Sequence, residues 1–79
     1  MYISWTDFGD SNRVHILREH SSRDAGVKSV KRFGKIYPNL KLVVKPYELS
    51  SKSGDISGEM ADYIRNSPVI FEVKNPLSS

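Results

Sequence analysis

The sequence predicts a small α/β domain, a βαβ unit followed by either a β-hairpin or a short helix plus strand, all in one mixed sheet. Three observations carry this. Residues 23–37 place Val27, Val30, Gly34 and Tyr37 on one helical flank with Phe33 beside them. On either side of that stretch, Arg13 to Glu19 and Leu40 to Lys45 alternate with a period of two. The 79 residues, 38% of them hydrophobic, are enough for one core and too few for two, so the whole of 1–79 reads as a single domain.

Taken in chain order, residues 1–12 read as a strand and a turn. Tyr2 to Phe8 is rich in aromatic and β-branched residues, and Gly9-Asp10-Ser11-Asn12 is a cluster of turn formers. Residues 13–45 form the βαβ unit. In its first strand Val14 and Ile16 fall on one side, with His15, Leu17 and Glu19 on the other. Ser21-Ser22-Arg23-Asp24 supplies helix N-caps and a first-turn acid. Pro38 and Asn39 end the helix, because the residue before a proline is driven out of the α region. The second strand restarts at Leu40, with Leu42 and Val44 on the same face. A strand, a helix and a strand in succession predict two adjacent parallel strands joined by a right-handed crossover.

Residues 46–58 read as a loop, since Ser50 to Gly58 is rich in Ser, Lys, Gly and Asp. Residues 59–73 stay open between two forms. Ile56, Met60, Tyr63 and Ile64 have helical spacing, whereas Arg65-Asn66-Ser67-Pro68 is hairpin-turn chemistry ahead of a strand from Val69 to Val73. Residues 74–79 have no period and read as a tail.

Charge is the strongest functional signal. Residues 1–45 have a net charge of +5 and residues 46–79 of −2. Between Val27 and Lys45 stand six basic residues, Lys28, Lys31, Arg32, Lys35, Lys41 and Lys45, and no acid. Lys28, Lys31, Arg32 and Lys35 fall within a 100° arc opposite the apolar flank of the helix, a distribution that attracts a polyanion such as RNA. A merely hydrated face is the competing expectation. All six are the candidate nucleic-acid-binding residues.

Other chemistry finds little support. With no cysteine the chain has no disulfide, thiolate metal site or thiol redox chemistry. The glycines form no phosphate-binding motif and the serines no nucleophile elbow. We therefore expect no enzyme activity, no cofactor, no metal and no small-molecule substrate. A minor alternative is a metal-independent ribonuclease built from His15, Glu19 and His20 beside Arg18 and Arg23. Trp5, Tyr37, Tyr47 and Tyr63 do not share one strand with basic neighbours and are expected to pack in the core or its rim. No apolar run exceeds three residues, far from a membrane span.

Three segments give the chain a family resemblance. Ser21-Ser22-Arg23-Asp24-Ala25-Gly26-Val27 resembles a serine-rich turn leading into a helix. Tyr37-Pro38-Asn39 before Leu40 to Val44 resembles an asparagine-proline step, here with the two residues in reversed order. Met60-Ala61-Asp62-Tyr63-Ile64-Arg65-Asn66 resembles one arm of a hairpin. Together they resemble the small thioredoxin-like family shared by mitochondrial ribosomal proteins and an accessory subunit of respiratory complex I. The resemblance implies a thioredoxin-like βαβ fold and a structural role in a large assembly. It also implies mitochondrial localisation, although Met1 to Asp7 lacks the Arg-rich, acid-poor character of a transit peptide. The partners implied are rRNA and neighbouring ribosomal proteins, or, as the alternative, the protein subunits of complex I. A second resemblance, of Val30, Phe33 and Tyr37-Pro38-Asn39, is to the segment after the zinc-binding cysteine pair of bacterial toxin deaminases. The corresponding positions here are Arg23 and Gly26, which cannot hold zinc.

Overall fold

The computed structural model describes residues 1–7, 13–37, 39–50 and 53–73. The expected turn at 9–12, Pro38 and the tail at 74–79 lie outside the described residues. Among the described residues five strands and two helices follow one another as β1 (Tyr2–Thr6), β2 (Arg13–His20), α1 (Arg23–Phe33), β3 (Leu40–Val44), β4 (Gly54–Ser57), α2 (Glu59–Arg65) and β5 (Phe71–Val73). The strands form one sheet in the order β4-β2-β1-β3-β5, with every neighbouring pair antiparallel.

This arrangement corrects the expectation of a mixed sheet with two adjacent parallel strands. β2 and β3 do run in the same direction, but β1 lies between them and pairs antiparallel with both. The reason lies in β1 itself. Tyr2–Thr6 is the one strand with no charged residue. Ile3 and Trp5 are buried on one face, and Ser4 and Thr6 on the other. A strand with nothing to present to water is stable in the middle of a sheet. The thioredoxin-like strand arrangement is accordingly not the one this chain adopts.

The helices lie on opposite faces. On one, α1 packs through Val30, with Val27 and Phe33 half-buried, against Leu40 and Leu42 of β3 and Leu17 of β2. On the other, Ala61 and Ile64 of α2 join Ile3, Trp5, Val14, Ile16, Val43, Leu49 and Ile56. Ser22 caps α1, its Oγ accepting from the Ala25 amide at 3.2 Å, as its sequence leads one to expect.

Several boundaries differ from expectation, among them β5, which begins at Phe71 and not at Val69. α1 stops at Phe33 with Gly34 as its cap, and residues 34–37 follow as a turn in which the Tyr37 amide still donates to the Phe33 carbonyl at 3.1 Å. Asn39, with φ of 51°, reverses the chain into β3, a left-handed position that asparagine tolerates better than most residues. Residues 54–57, expected in a loop, form the edge strand β4, which pairs with Arg13 to Ile16 and buries a single large side chain, Ile56. The open choice at 59–65 resolves as the helix α2.

Candidate nucleic-acid interface

α1 presents its polar flank away from the sheet because Val27, Val30 and Phe33 anchor the other one. Lys28, Lys31 and Arg32 are exposed on the helix, and Lys35 is exposed in the turn that follows it. Lys31 leans toward the edge strand, its Nζ 5.7 Å from the centre of the Phe71 ring. The Arg32 guanidinium lies 5.5 Å from the Phe33 ring. Among the described residues no acid pairs with Lys28, Lys31 or Arg32. Three cations thus stand on one flank of α1 with Lys35 in the turn after it, and a negatively charged polymer is the complementary partner for such a surface.

Lys41 and Lys45 do not join this group. Lys41 is in register with Trp5, on the face opposite α1, and its Nζ lies 5.0 Å from the Trp5 ring. Lys45 is held by Glu19 at 3.0 Å, with the two side chains only 18% and 16% exposed. The helix flank does not extend onto β3 through them, because strand alternation sends those two lysines to the α2 side.

The histidine constellation is dispersed as well. β1 and β2 slip register between Ser4 and Trp5, so Trp5 faces Ile16 while Ser4 faces Arg18. This β-bulge at Leu17 reverses the alternation beyond it. Glu19 comes to lie opposite Ile3, on the other face from His15. His15 instead donates from Nδ1 to Asp55 Oδ1 at 2.8 Å, with Arg13 on the other carboxylate oxygen at 3.7 Å. The His15 bond, followed by the His15 and Arg13 charges, holds the Asp55 carboxyl below the ordinary carboxylate value. His20 is buried, its Nε2 3.0 Å from the Ser4 hydroxyl, which also reaches the Arg18 carbonyl at 3.4 Å. Burial first, and then the Arg18 charge, push the His20 imidazole below 6.5. The two histidines are thus engaged separately, five positions apart on β2.

Of the aromatic residues, Trp5 is in the core and Tyr37 is half-buried, whereas Tyr47 is fully exposed and Tyr63 is 59% exposed. The last two are not core residues. With Val44, Pro46, Pro68 and Ile70 they line a shallow groove of about 240 Å³.

A larger cavity of about 480 Å³, which sequence patterns did not expose, opens between the end of α1 and β2. It is lined by Leu17, Arg18, Glu19, Phe33, Tyr37 and Ser53. Among the described residues no group of three or more His, Asp or Glu side chains could hold a metal ion, and no helix is long and apolar enough to cross a membrane. No protein-family model, no curated protein and no solved structure matches the chain.

Proposed function

We propose that this protein is a noncatalytic, RNA-contacting component of a larger assembly, and that the exposed flank of α1 is its contact surface. The observation that carries the proposal is the placement of Lys28, Lys31 and Arg32 on one helix flank, followed by Lys35 in the next turn, with no acid paired to the first three among the described residues. Lysine ammonium groups and an arginine guanidinium neutralise phosphates and release their counterions, which supplies affinity without reading sequence. The packed flank of the same helix fixes their positions, so little order has to be gained on binding.

A mitochondrial ribosomal protein is the more specific form of this proposal. It leans on a family resemblance whose adjacent parallel strands this sheet lacks, and the proposal is therefore confined to RNA contact within an assembly. The second reading is an accessory subunit that touches only proteins. The exposed aromatic and proline-flanked groove around Tyr47 and Tyr63 favours it.

Charge reversal at Lys31 and Arg32 separates the two. The Lys31→Glu/Arg32→Glu protein should keep the circular dichroism and melting behaviour of the parent, because both side chains are exposed. Its affinity for RNA of mixed sequence should fall by at least about tenfold at moderate salt. Binding to RNA that is unchanged by the reversal would remove this flank from the function and leave the protein-only reading.

A further inference from the structure

We propose that the cavity between α1 and β2 receives one unpaired base of an RNA strand whose phosphates run along the α1 flank, so that the protein prefers single strands. This rests on the RNA reading of α1 and adds the class of RNA to it.

The cavity is a consequence of two backbone features. The first is the bulge at Leu17. Consecutive strand residues ordinarily point to opposite faces, but the extra residue leaves both Leu17 and Arg18 on the α1 face. Leu17 packs against the α1 cluster, and Arg18 shares register with Ser4, itself paired with Leu42 beneath the helix. An apolar wall and a cationic rim thus come from adjacent positions. The second is the shortness of β4. Its pairing with β2 spans Arg13 to Ile16, so the outer edge of β2 beyond the bulge is not covered by it, and the cavity opens there.

The lining matches a nucleotide in kind as well as size. Phe33 and Tyr37, linked by the bond from the Tyr37 amide to the Phe33 carbonyl, give aromatic surface on which a base can stack, with Leu17 beside them. A volume of about 480 Å³ falls in the range of small-ligand sites. Among the described residues two charges line the cavity. Glu19 is neutralised by Lys45 at 3.0 Å. The Arg18 guanidinium has no hydrogen-bond or ion-pair partner among the described residues, which leaves it able to hold a phosphate. Phe33 joins the cavity to the basic flank, since its ring lies 5.5 Å from the Arg32 guanidinium. A strand passing Arg32 is therefore already at the mouth.

A paired base cannot enter without being flipped from its stack, which costs several-fold in affinity or more. The basic flank alone carries no such restriction, and duplex RNA presents at least as dense a row of phosphates to it.

The test compares three RNAs of equal length by fluorescence anisotropy at one salt concentration: a single strand of mixed sequence, the same strand with abasic nucleotides, and the duplex. The wild-type protein should bind the base-bearing strand at least about fivefold more tightly than the abasic one, the loss expected for one unstacked base, and more tightly than the duplex. Tyr37→Ala should remove the preference over the abasic strand, and Tyr37→Phe should retain it. Arg18→Gln, at an exposed position, should weaken single-strand binding about threefold and reduce its salt dependence by about one phosphate. Equal binding of base-bearing and abasic strands by the wild-type protein would overturn the cavity proposal while leaving the α1 flank in place. That comparison needs no variant to fold. A preference for bases together with an affinity for the single strand that Lys31→Glu/Arg32→Glu leaves unchanged would uphold the cavity and overturn the flank. Failure to bind any of the three would overturn both.

Discussion

Gly34, the cap of α1, lies close against the edge strand β5, and replacing it with alanine measures how tightly the fold is closed there. The residue has φ of −63° and ψ of −15°, which alanine adopts freely, so the cost comes from space alone. An added Cβ would stand 2.8 Å from the Val30 carbonyl oxygen and 2.8 Å from both Cβ and Cγ1 of Val73. None of these is the tip of a flexible side chain, so relief requires the helix end or β5 to move. Overpacking of this kind costs about 1–3 kcal/mol, while alanine recovers about 0.4–1 kcal/mol by restricting the unfolded chain. The net loss should be about 1–2 kcal/mol, which in a domain of this size lowers Tm by roughly 5–15 °C. Urea denaturation followed by circular dichroism gives the free energy, and a double-mutant cycle with Val73→Ala gives the coupling. Val73→Ala removes one of the two valine contacts, so Gly34→Ala should cost at least about 0.5 kcal/mol less in that background. A Gly34→Ala protein as stable as the parent would refute the close approach of α1 and β5. Gly26 offers the contrast. There the atoms nearest the added Cβ would be the Leu42 methyls at 2.6 and 2.8 Å, the end of a flexible side chain, and a mid-helix alanine gains about 1 kcal/mol. Gly26→Ala should accordingly lie within about 1 kcal/mol of the parent.

Two further perturbations address the polar contacts. Because the His20 pKa is held below 6.5 in the folded state, the unfolded chain takes up the proton more readily. The stability contributed by neutral His20 is complete above about pH 6.5 and is lost as pH falls from there through the folded-state value. Urea midpoints should therefore drop between about pH 7.5 and pH 5, and His20→Asn should reduce the drop; a parent midpoint that does not move over that range would contradict this account. Arg65 ties the end of α2 to the sheet, donating to both carboxylate oxygens of Asp7 at 3.0 and 3.2 Å and to the Arg13 carbonyl at 2.9 Å. Arg65→Ala should cost about 1–3 kcal/mol by denaturation, and Arg65→Lys should restore only part of it, since an ammonium cannot reproduce the two-pronged geometry.

How much of this was legible in the sequence depends on how much each segment buries. α1 was plain, because Val27, Val30 and Phe33 recur on one flank and Ser22 marks the start. β2 and β3 were plain through alternation. Their neighbours were not, because pairing is a property of the whole sheet, and the clue that β1 separates them is the uncharged composition of Tyr2–Thr6, which signals burial on both faces. β4 was hidden for the opposite reason: Gly54-Asp55-Ile56-Ser57 buries one large side chain, so its composition is that of a turn. Lys28, Lys31 and Arg32 share a flank of α1 as their spacing indicates, whereas Lys35 falls in the turn beyond the helix, because α1 ends at Phe33. Lys41 and Lys45 lie apart from that flank, because closeness in sequence says nothing about which side of the sheet a side chain takes. The cavity had no sequence signal at all, since it depends on a bulge at Leu17 that no pattern of residue types announced and that turns Glu19 away from His15.

The salt dependence of RNA binding tests the central claim most directly. If Lys28, Lys31, Arg32 and Lys35 each neutralise one phosphate of a single strand, the logarithm of the association constant should fall with the logarithm of salt concentration at a slope of about −3. The slope should be the same for unrelated sequences, and Lys31→Glu/Arg32→Glu should flatten it to about −1.5 or less in magnitude. Binding that is insensitive to salt, or a slope that the charge reversal leaves unchanged, would contradict the assignment of this helix flank as the RNA contact.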